Sequence, residues 1–206
     1  MISDNIKLYL PKYLSEESEK ELFQGIRDFP KNLSGRFYTG RLKGTEIIYQ
    51  GDGLRDLSIV NLPSTNVGTA NCIVLSNTCD IDIENKRSFP SQLVYAPIFN
   101  LSKYRQIMLS GEYRTEQQTE DHIAAIKRQE ITQIFYLPAI EGVLEESLVF
   151  LDRIFNFPNK LIPRDGLNSR RLFTLSDLGA YLFIMKLSIH FTRIQDKVER
   201  GSGLSI

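Results

Sequence analysis

The stretch NCIVLSNTCDIDIENK, from Asn71 to Lys86, begins as an apolar strand and stops abruptly in a cluster of hydroxyl, amide, thiol and carboxylate groups. Ile73, Val74 and Leu75 follow one another without polar alternation, the pattern of a strand covered on both faces, and they predict a central strand. Strand ends and the loops after them commonly present binding groups. Ser76, Asn77, Thr78, Cys79 and Asp80 are therefore the first candidates for a site.

Four more short extended pieces surround this strand between Arg36 and Ile98: RFYTGRL, EIIYQ, LSIVNL and QLVYAPI, separated by Gly, Pro, Asn and Asp. Strands at this spacing predict a small barrel or half-barrel. Upstream, SEESEKELFQGIRDFPK predicts a first helix, capped by Ser15, with Leu22, Phe23, Ile26 and Phe29 as its apolar stripe and Pro30 at its end. Downstream, EQQTEDHIAAIKRQE predicts a helix, and TQIFYL and ESLVFLDRIFNF predict strands that extend the same sheet. TLSDLGAYLFIMKLSIHFTRIQDKVER then predicts a long helix opened by Thr174 and Asp177 at capping-box spacing. Its apolar residues cover more than one stripe, so it must pack against the sheet or a second subunit. The closing GSGLSI is expected to fray. The expectation is one α+β domain over residues 1–206: a helical segment at 1–35, a curved antiparallel sheet or barrel core at 36–100, a helix and further strands at 101–174, and a long C-terminal helix and tail at 175–206.

Hydrophobic residues make up 42% of the chain and charged residues 24%, which suits a globular protein and argues against disorder. Lys and Arg number 25 against 25 Asp and Glu, so no overall field draws the chain to nucleic acid or to an anionic membrane, and any RNA or DNA contact must be local. The N-terminal MISDNIKLYLPKYL lacks a signal-peptide core and no later run is long enough to span a bilayer, which predicts a cytoplasmic protein with no membrane partner. Cys72 and Cys79 lie too few and too far apart for a disulfide framework or a metal knuckle and are expected as free thiols.

Cys79 is followed directly by Asp80, with Asp82 close behind, and these carboxylates oppose a thiolate, so a turn cysteine is expected rather than a nucleophile. Asp80, Asp82 and Glu84 alternate with Ile81 and Ile83, which predicts an acidic, solvated strand face. On a straight strand, carboxylates two apart stand about 6.6 Å from one another, too far to share an ion held at about 2.3 Å, so a divalent metal on these three would need a curled loop. Glu84-Asn85-Lys86 has the Glu-x-Lys spacing of metal-dependent nucleases, with Asp52, Asp56 or Asp80 as a second carboxylate. A nuclease reading therefore takes Asp52, Asp80, Glu84 and Lys86 as catalytic candidates. Gly51-Asp52-Gly53 lacks the further glycine of a dinucleotide fingerprint and the Gly-Lys-Ser/Thr of a phosphate loop, so it predicts a turn, beside which Arg55 could touch phosphate. Arg164, Arg170 and Arg171 form the densest positive cluster, and pairing with acidic groups is their expected role.

The order of GDG, a strand, NCIVLSN and QLVYAPI over residues 49–100 resembles the PemK/MazF (Kid-type) toxins. That resemblance implies an SH3-like barrel and a sequence-selective endoribonuclease ancestry. The family's activity relies on an Arg opening the second motif and a Thr or Ser closing the third. The matching positions here are Ala70 and Phe99, which provide neither a cation nor a proton-transfer group. SNTCDI, with FYLP and RRLFTLSDLGAYLFIMKLSIHF, is also similar to a group of uncharacterised bacterial and phage-associated proteins with a Ser-x-Thr-Cys-Asp strand end.

Three functions follow as expectations. The first is a non-catalytic binding or regulatory component of a toxin-antitoxin or phage-defence type system, binding through Arg55, Ser76, Asn77, Thr78, Cys79 and Asp80 in one pocket with Asp52. The second is a divergent metal-dependent nuclease. The third is an interaction protein, a homodimer or partner of another protein, whose association through the C-terminal helix would break on Leu182→Glu.

Overall fold

The computed structural model describes residues 33–111 and 115–192, together with 17, 20, 21, 24, 25 and 28–30. The expected first helix and the terminal tail lie largely outside the described residues.

Eight strands carry the fold: β1 (Tyr38–Thr39), β2 (Gly53–Asn61), β3 (Asn66–Val74), β4 (Gln92–Asn100), β5 (Ile134–Leu137), β6 (Ser147–Phe150), β7 (Phe155–Pro158) and β8 (Arg171–Leu175). Their order across an open, curved antiparallel sheet is β1-β8-β2-β3-β4-β6-β5, and β7 pairs with β4. The helices whose bounds fall among the described residues are α1 (Leu33–Arg36), α2 (Thr78–Ile81), α3 (Leu101–Ser110), α4 (Glu116–Lys127), α5 (Leu167–Arg170) and α6 (Asp177–Thr192).

The central strand is β3, as its sequence predicts. Ile73 joins an apolar cluster with Phe37, Ala96, Phe135, Val149, Phe173 and the α6 residues Leu178, Leu182 and Phe183, while Cys72 and Val74 join Leu54, Leu57, Leu93 and Tyr95 on the opposite face. Burial on both faces is what the uninterrupted apolar run requires. A third cluster, with Ile123, Ile126, Ile134, Tyr136 and Leu148, packs α4 on β5 and β6. Thr115 and Gln118 close a capping box at the start of α4.

Several expected elements are different. EIIYQ is not a strand, and only Tyr38–Thr39 of RFYTGRL pairs. The acidic alternation is no strand either: Asn77 caps the single turn α2, and a loop follows to β4. ESLVFLDRIFNF divides at Leu151 into β6 and β7, which run in succession along β4. α3 fills a segment for which no element is expected, and β8 ends on Thr174 and Leu175, which are expected as the start of the long helix. The cap of α6 is Ser176, whose Oγ accepts from the Gly179 N–H at 3.1 Å, rather than Thr174, which lies in β8. Leu182 is buried in the first cluster, so it is no part of an association surface; Ile184, Met185, Ile189 and Phe191 are the exposed large apolar residues of α6.

Lys186 is the one charged side chain α6 buries among the described residues. Its Nζ donates to the carbonyls of Gln129 at 2.6 Å and Ile131 at 2.5 Å, tying α6 to the end of α4. Burial pushes its pKa down from 10.5 to about 8. Below that pH both folded and unfolded chains hold the proton and the cost of burying an ammonium is fully present. Between about 8 and 10.5 only the unfolded chain holds it, so stability rises with pH. A neutral amine still has two N–H groups for the two carbonyls. In urea unfolding at stepped pH, the wild type is expected to gain on the order of 3 kcal/mol over Lys186→Met across this window. Parallel pH profiles for the two proteins would contradict the assignment.

Candidate functional site

The Gly51-Asp52-Gly53 turn is structural. Gly51 has φ 86°, a left-handed conformation, and a β-carbon at Gly53 would run into the Phe173 ring. Asp52 between them is fully buried. Its Oδ2 accepts from the Tyr49 N–H at 2.9 Å and from Arg171 Nε at 3.1 Å, and its Oδ1 accepts from the Thr174 hydroxyl at 2.7 Å. Burial pushes this carboxyl up, opposed by the Tyr49 N–H, the Thr174 hydroxyl and the Arg171 charge. Arg171 also donates to the carbonyls of Leu42, Thr45 and Ile47, so one guanidinium organises the 42–47 loop. Asp52 is thus a buried anchor: its carbonyl accepts from the Val74 N–H at 2.9 Å at the end of β3, while its carboxylate is taken up by Tyr49, Arg171 and Thr174 rather than joining the strand-end side chains.

The turn at the end of β3 is built by its own polar side chains. Ser76 Oγ accepts from the Val94 N–H at 2.8 Å, and Asn77 Oδ1 accepts from the Cys79 N–H at 2.9 Å, which caps α2. Thr78 Oγ1 accepts from the Gln50 N–H at 3.0 Å, joining this turn to the GDG turn. Cys79 is an exposed free thiol, and its carbonyl accepts from Asn85 Nδ2 at 2.8 Å. Buried Cys72 has its thiol pushed up to about 12 by desolvation, which keeps it inert.

A cleft of about 750 Å³ opens beside this turn. Ser76, Asn77, Asp80, Arg87, Ser91, Gln92 and Ser188 supply the polar part of its wall, and Leu75, Phe89, Pro90, Val94, Ile154, Leu187 and Phe191 the apolar part. Asp80 pairs with Arg87 Nη2 at 2.7 Å in a half-exposed setting, so the cleft offers a cation and an anion side by side. Phe89 is 85% exposed and projects beside them. Arg87, Phe89 and Phe191 are site residues that no motif marks.

The remaining candidates lie elsewhere. Thr78 and Cys79 build the turn without lining the cleft. Asp82 Oδ1 accepts from the Glu84 N–H at 2.9 Å within the exposed loop, where Glu84 and Lys86 also lie. Arg55 and Asp56 are exposed at a bulge in β2, with Asp56 at φ 56°. Among the described residues, no three His, Cys, Asp or Glu side chains come together as a metal-binding group. Arg164 donates to Asn159 Oδ1 at 2.6 Å, and Asn159 in turn donates to the Ile81 carbonyl at 2.8 Å, which secures the far side of the loop. No family model and no curated protein matches the chain.

Proposed function

We propose that this chain is a non-catalytic binding or regulatory component built on a PemK/MazF-like barrel, of a bacterial toxin-antitoxin or phage-defence type system, and that the cleft receives a segment of a protein partner. The observation that carries this reading is a cleft whose wall combines a large apolar part with polar groups, among them the paired Asp80 and Arg87. Such a wall takes an aliphatic or aromatic side chain. The Asp80–Arg87 pair supplies a donor and an acceptor to the main chain of the segment that bears it.

The positions that match the family's Arg and Thr support binding over cleavage. Ala70 sits across from Leu57 in the β2–β3 pair, and Phe99 packs edge-on against Phe150 beneath Arg153. Neither exchanges a proton at a phosphate. The system type rests on the resemblance of residues 49–100 alone.

Display of random peptides against the immobilised protein tests the cleft. The peptides recovered are expected to share an aromatic or branched aliphatic side chain. Phe89→Ala is expected to weaken their binding by about 2 kcal/mol, roughly 30-fold, as for an aromatic anchor. Arg55→Ala, which lies off the cleft, should leave binding unchanged. Peptides bound equally well by wild type and Phe89→Ala would remove the cleft from the account.

A further inference from the structure

β2 and β3 outrun the rest of the sheet. They pair with each other from Gly53 and Ile73 as far as Asn61 and Asn66, but β8 reaches β2 only at Gly53 and Leu54, and β4 reaches β3 only from Cys72 to Val74. Residues 57–71 therefore form a two-stranded ribbon. Among the described residues, no strand pairs with the outer edge of β3 from Asn66 to Asn71.

One face of the ribbon is used: Leu57 is buried, and Ile59 and Ala70 pack against the apolar cluster that holds it. The other face presents Val67, 73% exposed and paired with Val60, and Leu62 at the tip is 79% exposed. Open edges are ordinarily guarded by charge, proline or a bulge. From Leu57 to Asn71 there is no Asp, Glu, Lys, Arg or His, and the open edge holds no proline and keeps regular register from Ala70 to Asn66. The edge is unguarded.

We infer that this edge is an interface between two copies of the chain, in which β3 of one copy pairs antiparallel with β3 of the other and joins two ribbons into a four-stranded sheet. Charge selects this occupant. Two-fold pairing sets a strand against itself, so any charge near the axis meets its own sign, and an uncharged edge is what self-pairing requires. A foreign strand would be chosen by complementary charge, for which this edge offers no counterpart. A two-fold axis normal to the sheet keeps each face on its own side. Centred on Gly68, it sets Val67 beside Thr69 of the second copy, and the open space around Gly68 lets the two backbones approach. A lone ribbon is marginally stable in water, which the added pair of strands remedies.

Light scattering on the size-fractionated full chain at micromolar concentration tests this pairing. Wild type is expected at twice the chain mass. Val67→Lys and Val67→Glu, at an exposed position, are each expected at the single mass with unchanged circular dichroism, and an equimolar mixture of the two should return to twice the mass. Wild type at the single mass, a double mass that persists in both variants, or a mixture that stays at the single mass would overturn the interface. None of these residues lines the cleft, so the proposed function stands or falls separately.

Discussion

Asp52→Ala is expected to cost the fold about 3 to 5 kcal/mol, because it leaves the Arg171 guanidinium buried without its counter-charge. The two side chains are 0% and 5% exposed, so water cannot replace the missing partner. Thr174 and the Tyr49 N–H lose their acceptor in the same change. Arg171→Met is expected to be nearly as damaging, since it strands the carboxylate and frees the carbonyls of Leu42, Thr45 and Ile47. The double variant Asp52→Ala/Arg171→Met should be less destabilised than the sum of the two, a coupling measured directly by urea unfolding of all four proteins. Additive losses would show that the pair does not act as a unit. Wild-type stability in Asp52→Ala would return Asp52 to the list of functional carboxylates.

Leu182→Glu is expected to unfold the protein, with a loss of about 4 kcal/mol or more, because it drives a carboxylate into an apolar cluster that offers it no partner. Leu182 is 4% exposed and belongs with Phe135, Phe183 and Phe173. Ile184→Glu and Ile189→Glu alter positions 45% and 42% exposed on the same helix and should stay within about 0.5 kcal/mol of wild type. Thermal melts of the three variants separate the two faces of α6. A folded Leu182→Glu would contradict the placement of α6 on the sheet.

Much of the fold is legible where a residue's local pattern and its tertiary role agree. Ile73, Val74 and Leu75 read as a strand covered on both faces and are one through Val74, with Leu75 just beyond the strand's end. EQQTEDHIAAIKRQE reads as a helix because its apolar spacing and its Thr115–Gln118 cap point the same way. The failures have physical causes. EIIYQ has strand-like residues, but the neighbouring carbonyls of Thr45 and Ile47 are taken by the Arg171 side chain, whose place beside them is set by a segment more than a hundred residues away. β8 is hidden because RLFTL runs straight into the apolar start of α6. The acidic alternation suggests a strand, yet Asn77 and Asp82 each accept a backbone N–H two residues ahead and turn the chain instead.

The site was partly visible for the same reason. Ser76, Asn77 and Asp80 are contiguous in sequence and line the cleft, but Phe89 and Phe191 come from separate elements and are joined only by the fold. Arg87 follows Lys86 directly, but its pairing with Asp80 depends on the loop at 82–91 folding back, which the strand-like alternation of Asp82 and Glu84 with isoleucine conceals. Asp52 looked available because nothing nearby in sequence pairs with it. Its partners Arg171 and Thr174 are far along the chain.

The most direct test of a binding rather than a catalytic role at the Ser76–Asp80 turn is incubation of the purified, folded protein with total RNA and plasmid DNA, with and without magnesium or manganese, beside Asp80→Ala. With a binding role, both nucleic acids are expected to remain intact under every condition and the two proteins to behave alike. Metal-dependent cutting by wild type that Asp80→Ala abolishes would contradict it and make the end of β3 a catalytic centre.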